Sequence, residues 1–191
     1  MTIAQLIQRS LAGDESATHT LVINHQRDVL HLAQSILGDP AEAEEAAQEA
    51  FITALRSLAN FRGEASFKTW IFSITINGCR KRILKRHAQE RLVRAIQSVF
   101  RITGAGPTHP EEIVIRREAR TELWQAIAAL GEKHRIPIML HYDLGLSVDE
   151  IAQTLGLRPG TVLSRLFTGR EKLRVALKAS QGWHSEAVEY E

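Results

Sequence analysis

Apolar positions recur at helical spacing along almost the whole chain. Ile3, Leu6, Ile7 and Leu11 begin the pattern. A second run, from residue 15 to about 37, carries Leu21, Val22, Val29, Leu32, Ala33, Ile36 and Leu37. "AGDES" closes the first helix, and "GDPAE" separates the second from a third that reaches about residue 58. In that junction Gly38 suits a helix end, Asp39 an N-cap, Pro40 the first helical position, and Glu42 the third residue of a capping box. "IFSITI" alternates like a strand, yet Phe67, Trp70, Ile71 and Ile74 also fit i, i+3, i+4, i+7, and Ser66 fits an N-cap. With no partner strand in sight, the pattern predicts a helix over residues 66 to about 95 and an all-α protein.

"RITGAGPTHPEE" holds two glycines and two prolines and reads as a flexible linker. Helices are then expected around 118–130 and 133–142. The next stretch is "GLSVDEIAQTLGLRPGTVLSRLFTGREKLRVAL". Ser147 and Glu150 make an S-x-x-E capping box. Val148, Ile151, Ala152 and Leu155 form one apolar face, and Gly156 permits a turn through positive φ. Pro159 starts a second helix burying Val162, Leu166 and Leu173. This is a helix-turn-helix, whose second helix enters the major groove. Thr161, Ser164, Arg165, Thr168 and Lys172 fall on its other side. These are short hydrogen-bonding groups and cations, as base-edge and phosphate contact requires.

The chain has 191 residues, 44% of them hydrophobic, room for one compact domain or two small ones. A net charge of only +2 hides strong patterning. Asp39, Glu42, Glu44, Glu45 and Glu49 form an acidic segment without a base. Arg80, Lys81, Arg82, Lys85, Arg86, Arg91 and Arg94 form a basic one. Arg158, Arg165, Arg170, Lys172, Arg174 and Lys178 form a second. Two basic surfaces and one acidic surface imply more than one kind of partner. Cys79 is the lone cysteine and no two histidines stand at i,i+4, so disulfide and metal chemistry are not expected. No glycine-rich phosphate loop or nucleophile motif is present, so neither an enzyme nor a cofactor is expected. The chain shows no signal peptide and no apolar run able to span a bilayer, and a cytoplasmic location is expected.

Two blocks carry a family resemblance: "GDPAEAEEAAQEAFITALRSLANFRGEASFKTWIFSITINGCRKR" and "ALGEKHRIPIMLHYDLGLSVDEIAQTLGLRPGTVLSRLFTGREKLRVAL". In this order, divided by a linker, they resemble the extracytoplasmic-function (ECF) group of bacterial RNA polymerase sigma factors. The resemblance implies two small helical domains. One is a sigma-2-like bundle over 1–95. A linker over 96–117 joins it to a sigma-4-like helix-turn-helix domain over 118–180, and a short tail follows over 181–191. It also implies core RNA polymerase and promoter DNA as partners, with control by a separate anti-sigma protein. On the residues alone, the acidic helix reads equally well as a docking surface or as acids favoured by a helix N-terminus. Glu45, Gln48, Glu49 and Ile52 share its outer side, opposite Ala43, Ala46, Ala47, Ala50, Ala54 and Leu58. The family's matching helix docks on polymerase, which favours the first reading.

The resemblance further implies that the "FRGEASF" loop and the helix after it melt and read the −10 element. Arg62, Gly63, Glu64, Ala65 and Ser66 would form a pocket for a flipped base. Asn77 would read a base, and Arg80, Lys81, Lys85 and Arg86 would hold phosphates. Phe67, Trp70 and Ile71 are read as anchors of the loop. Arg158, Thr161, Ser164, Arg165, Thr168 and Lys172 would contact the −35 duplex. The sequence departs from the family at Leu163 (commonly Lys), Thr168 (often Arg) and Arg158 (frequently Ser). Pro137 is admissible only within the first turn of its helix. The competing readings are a stand-alone helix-turn-helix regulator, which leaves the acidic helix unexplained, and a sigma mimic that binds an anti-sigma protein, which leaves the basic residues unexplained.

Overall fold

A computed structural model of the chain describes residues 1–100 and 120–181. Of the expected linker over 96–117, residues 96–100 belong to a helix and 101–117 lie outside the described residues, as does the tail from 182. The chain divides into two compact units, Met1–Val114 and Ile115–Glu191. Among the described residues every regular element is helical.

In the first unit, α1 (Ile3–Leu11), α2 (Glu15–Leu37), α3 (Pro40–Arg56) and α4 (Phe67–Phe100) pack around α2, which meets each of the other three. The starts are chemically specified. Thr2 and Gln5 form a capping box on α1, Asp14 caps α2 through the Ser16 and Ala17 amides, and Asp39 caps α3 with Pro40 behind it. Gly38 ends α2 at φ 75°, so the helix-to-helix junction falls at the expected residues. A short 3-10 turn, Leu58–Asn60, follows α3. "IFSITI" is helical, as expected. Thr75 is buried within it and donates its hydroxyl to the Ile71 carbonyl at 2.9 Å. Helix α4 continues to Phe100, beyond the expected end near residue 95.

The core is built on an alanine face. Ala43, Ala46, Ala47, Ala50 and Ala54 of α3 are all buried, against large residues from the other helices such as Leu21, Val29, Leu32, Ile71, Phe72 and Ile76. Side chains this small let α3 approach α2 and α4 closely, while losing no rotamer entropy on burial.

The second unit comprises α5 (Arg120–Ala129), α6 (Glu132–Ile138), α7 (Val148–Leu155) and α8 (Pro159–Gln181), with α8 packed on the other three. Pro137 is not in the first turn of α6, which starts at Glu132. Instead the chain widens to a π turn immediately afterwards, Met139–Asp143, where the Leu144 amide reaches back to the Met139 carbonyl at 3.1 Å. Proline cannot donate to the carbonyl of residue 133, and the looser turn absorbs the defect. Both Pro137 and Met139 remain buried.

Two outcomes follow for the first unit. Asp14 is half-buried, and hydrogen bonds from Ser16, Ala17 and Arg9 lower its pKa to about 2. A lowered carboxylate stabilises the fold above its unfolded value near 4, and that contribution is lost as pH falls toward 2. Asp14→Asn keeps the cap but not the charge. The melting temperatures of wild type and Asp14→Asn should differ at pH 6 and converge as pH falls to 2. Ala43 is wholly buried. Ala43→Leu should therefore cost about 1–3 kcal/mol by overpacking, seen as a lower urea midpoint by circular dichroism.

Candidate nucleic-acid and partner interfaces

Helix α3 presents its acids outward because alanine occupies its inner side. Glu45, Gln48, Glu49 and Ile52 are all exposed, and Ile52 is 49% accessible. The four residues face two different grooves. Gln48 and Ile52 line one between α2 and α3, of about 720 Å³, with Val22, Leu30 and Phe51. Glu45 and Glu49 line the other, between α3 and α4, of about 810 Å³.

The second groove is where the acidic and basic segments meet. Arg82 of α4 bridges Glu45 at 3.0 Å and Glu49 at 2.8 Å, and Arg86 pairs with Glu42 at 3.4 Å. The hydrogen bond to Glu49, with a second to Glu45, raises the Arg82 pKa further above its already high value, against the cost of desolvation. Asn77, Lys81 and Lys85 line the same groove. Lys81 and Lys85 are exposed and have no ion-pair partner among the described residues. Arg80 is not part of this groove. Helical periodicity turns it about 100° from Lys81 and about 140° from Lys85.

The loop between α3 and α4 is pinned by rings. Phe61 lies 5.9 Å from Phe67 and 5.1 Å from Trp70, and Phe67 lies 5.7 Å from Trp70 and 5.0 Å from His25. Phe67 and Ile71 are buried and Trp70 half-buried, the anchoring arrangement expected from the sequence. Ser66 caps α4 by accepting from the Thr69 amide at 3.0 Å. Between these anchors, Arg62, Gly63 and Glu64 are exposed, and Arg62 meets Glu64 at 4.0 Å. Gly63 sits at φ 73° with open space where a Cβ would be, so backbone conformation demands the glycine. Asn77 lies three helical turns further on, roughly 16 Å from Ser66 at 1.5 Å per residue. The loop and Asn77 are thus two separate features on one helix and do not form a single pocket.

In the second unit the helix-turn-helix has the expected chemistry. Ser147 and Glu150 form both halves of a capping box, and Gly156 ends α7 at φ 63°. Arg158 stands at the start of α8, where its carbonyl accepts from the Thr161 and Val162 amides. Val162 and Leu166 are buried, and Leu173 is half-buried. Thr161, Ser164 and Lys172 are exposed, while Arg165 and Thr168 lie half-buried at the margin. The Arg165 backbone is tied to α6, its carbonyl accepting from the buried His134 ring at 3.2 Å. Gly169 lets the helices touch: a Cβ there would stand 3.0 Å from Ile138 Cγ1.

Comparison with known proteins decides what these surfaces belong to. The Sigma-70 region 2 model matches residues 21–89, and the Sigma-70, region 4 model matches residues 120–173. The chain is 35% identical over 180 residues to the RNA polymerase sigma-H factor of Pseudomonas aeruginosa, covering 91% of this chain and 93% of that one. It is 33% identical over 178 residues to the ECF RNA polymerase sigma-E factor of Escherichia coli K12, with the same coverage. The chain belongs to the ECF sigma factors. Its structure resembles CnrH in complex with the cytosolic domain of CnrY, with TM-score 0.66, 25% identity, and coverage of 91% of this chain and 96% of the other. The fold also matches the sigma factor RpoE bound to the anti-sigma factor NepR from Bartonella quintana, with TM-score 0.66, 23% identity, and coverage of 85% and 98%.

As a sigma factor, the chain binds core RNA polymerase and promoter DNA in transcription initiation. The sigma family is non-enzymatic. Among the described residues no helix is long and apolar enough to cross a membrane, and no cluster of ligands could hold a metal. Two features of this sigma factor were missed in the sequence. One is Arg82, absorbed into a run of bases although its partners lie far back in the chain. The other is Phe167, 61% exposed beside the 54% exposed Leu163 on α8. Helical angle held the second signal, since Phe167 lies well away from Val162 and Leu166.

Proposed function

We propose a division of labour among these surfaces. Unit one docks on core polymerase through the outer face of α3 and handles the −10 element through the loop 62–66 and the basic side of α4. Unit two handles the −35 duplex through α8. The observation that carries this reading is the placement of exposed Gln48 and Ile52 on an otherwise acidic helix face beside an apolar groove. An apolar residue in that position favours a macromolecular partner over a merely solvated surface. Exposed Lys81 and Lys85 suit phosphate, Asn77 suits a base edge, and Arg62–Ser66 offer exposed loop groups for an unstacked base. Arg86 joins Lys81 and Lys85 when its acid partner is displaced. Arg80 is left out of this assignment because it lies off the groove. The complexes formed by CnrH and by RpoE support an anti-sigma protein as a further partner. The chain is a cytoplasmic, non-catalytic initiation factor.

On α8, Arg158 stands at the helix N-terminus, whose dipole favours phosphate, and Arg165 lies among short polar groups suited to base edges. With Leu163 unable to bind phosphate, Arg158 carries more of the positioning and Arg165 more of the readout.

Docking is tested with Gln48→Lys, Ile52→Asp, which spares the Arg82 pairs. The variant should keep its circular dichroism and lose affinity for core polymerase at least tenfold. Unchanged affinity with an intact fold overturns the docking assignment. For the −35 surface, the full chain in holoenzyme is titrated against cognate and scrambled duplexes at several salt concentrations. Leu163→Lys should steepen the salt dependence by about 0.9, one phosphate's worth. Arg165→Ala should lose discrimination by about 1–3 kcal/mol, and Arg158→Ala should weaken both duplexes alike. Identical behaviour of the two alanine variants would discard this division of roles.

A further inference from the structure

The α3–α4 groove joins two surfaces that the family reading treats as separate. Glu45 and Glu49 belong to the docking face, yet both are held by Arg82, and Glu42 is held by Arg86. The pairing is lopsided. The Arg82 side chain is 22% exposed, whereas Glu45 and Glu49 are 69% and 65% exposed. The arginine is fixed against the helix, and the acids are free to turn outward. Arg82 Nε is buried and has no hydrogen-bond partner, so the guanidinium is not fully satisfied by its acids. Ion pairs this exposed are weak and readily exchanged for a competing partner. Two exposed lysines, Lys81 and Lys85, line the same groove and extend its basic surface.

We propose that these ion pairs form an electrostatic latch. In the free chain Glu42, Glu45 and Glu49 occupy Arg82 and Arg86 and weaken the grip of α4 on single-stranded DNA. A partner presenting basic side chains to α3 competes for the acids and releases both arginines to phosphate. Because coupling is reciprocal, single-stranded DNA on α4 in turn strengthens binding of that partner to α3. The latch rests on the reading that α4 binds a single strand. It makes Arg82 a phosphate-binding residue whose availability depends on docking.

The test measures binding of a fluorescent dT oligonucleotide to the full-length chain over a salt series, without polymerase. Glu45→Gln, Glu49→Gln should tighten binding about fivefold, the scale of an exposed ion pair. It should also steepen the salt slope by about 0.7 for each added phosphate contact on a single strand. Arg82→Gln should abolish that gain, because the acids act through Arg82. Glu44→Gln removes a neighbouring exposed acid that is not paired with Arg82, and should give a clearly smaller change than either Glu45→Gln or Glu49→Gln alone. The latch is overturned if the gain survives Arg82→Gln, if Glu44→Gln matches either paired acid, or if the double variant gains nothing. Should Arg82→Gln lose helicity, the other arm serves: Glu42→Gln should tighten binding, and Arg86→Gln should remove that gain. Lys81→Gln, Lys85→Gln separates the two claims. If it leaves binding unchanged, the single-strand reading of α4 fails. If it weakens binding while the acid variants do nothing, the latch alone fails.

Discussion

The alanine face of α3 is the constraint on which the first unit depends. Five buried alanines let this helix lie close against both α2 and α4. Alanine contributes little transfer energy by itself, so the stabilisation comes from the large residues of the neighbouring helices that close over it. The close approach has an electrostatic consequence. It brings the outer acids of α3 within 2.8–3.4 Å of Arg82 and Arg86 on α4. Larger residues on the inner side would push the helices apart, and the charged groups would then meet water instead of each other.

The second unit solves a different problem, that of presenting a helix rigidly at its surface. Helix α8 is held from beneath by α5, α6 and α7. Gly169 removes a side chain where Ile138 comes close, and His134 reaches across to the backbone at Arg165. Pro137 breaks the helical ladder of α6 shortly before the π turn, yet its ring stays buried. The defect is tolerated because the widened turn carries the chain on to Leu144 and Leu146, both buried. The contacts by which α6 fixes α8 come from His134 and Ile138, on the helical stretch before the π turn.

Each unit is nearly neutral as a whole, with its charge gathered into patches of one sign. On α3 and α4 the acidic and basic groups face each other across one groove, and each is the other's nearest counter-ion. Surface pairs of this kind add little to stability. Their effect lies in which partner each charge faces.

The sequence by itself determined the helices, their caps and the helix-turn-helix, because these rest on local chemistry. Asp14, Asp39 and Ser147 bind amides two or three residues away, and Gly38 and Gly156 supply the positive φ that ends a helix. It also determined the inner face of α3 and the anchoring of the loop by Phe67 and Ile71, since periodicity alone sorts apolar from polar sides. It placed the end of α4 too early and made Pro137 conditional on a first turn that it does not occupy. What only the tertiary structure decided are pairings between distant residues. Arg82 with Glu45 spans 37 positions and Arg86 with Glu42 spans 44. No periodicity within one helix encodes such a contact, because it depends on how closely two helices approach. The same holds for the division of the α3 face between two grooves. Each is set by neighbouring helices, and a pattern read along one strand of sequence carries no information about what stands across from it.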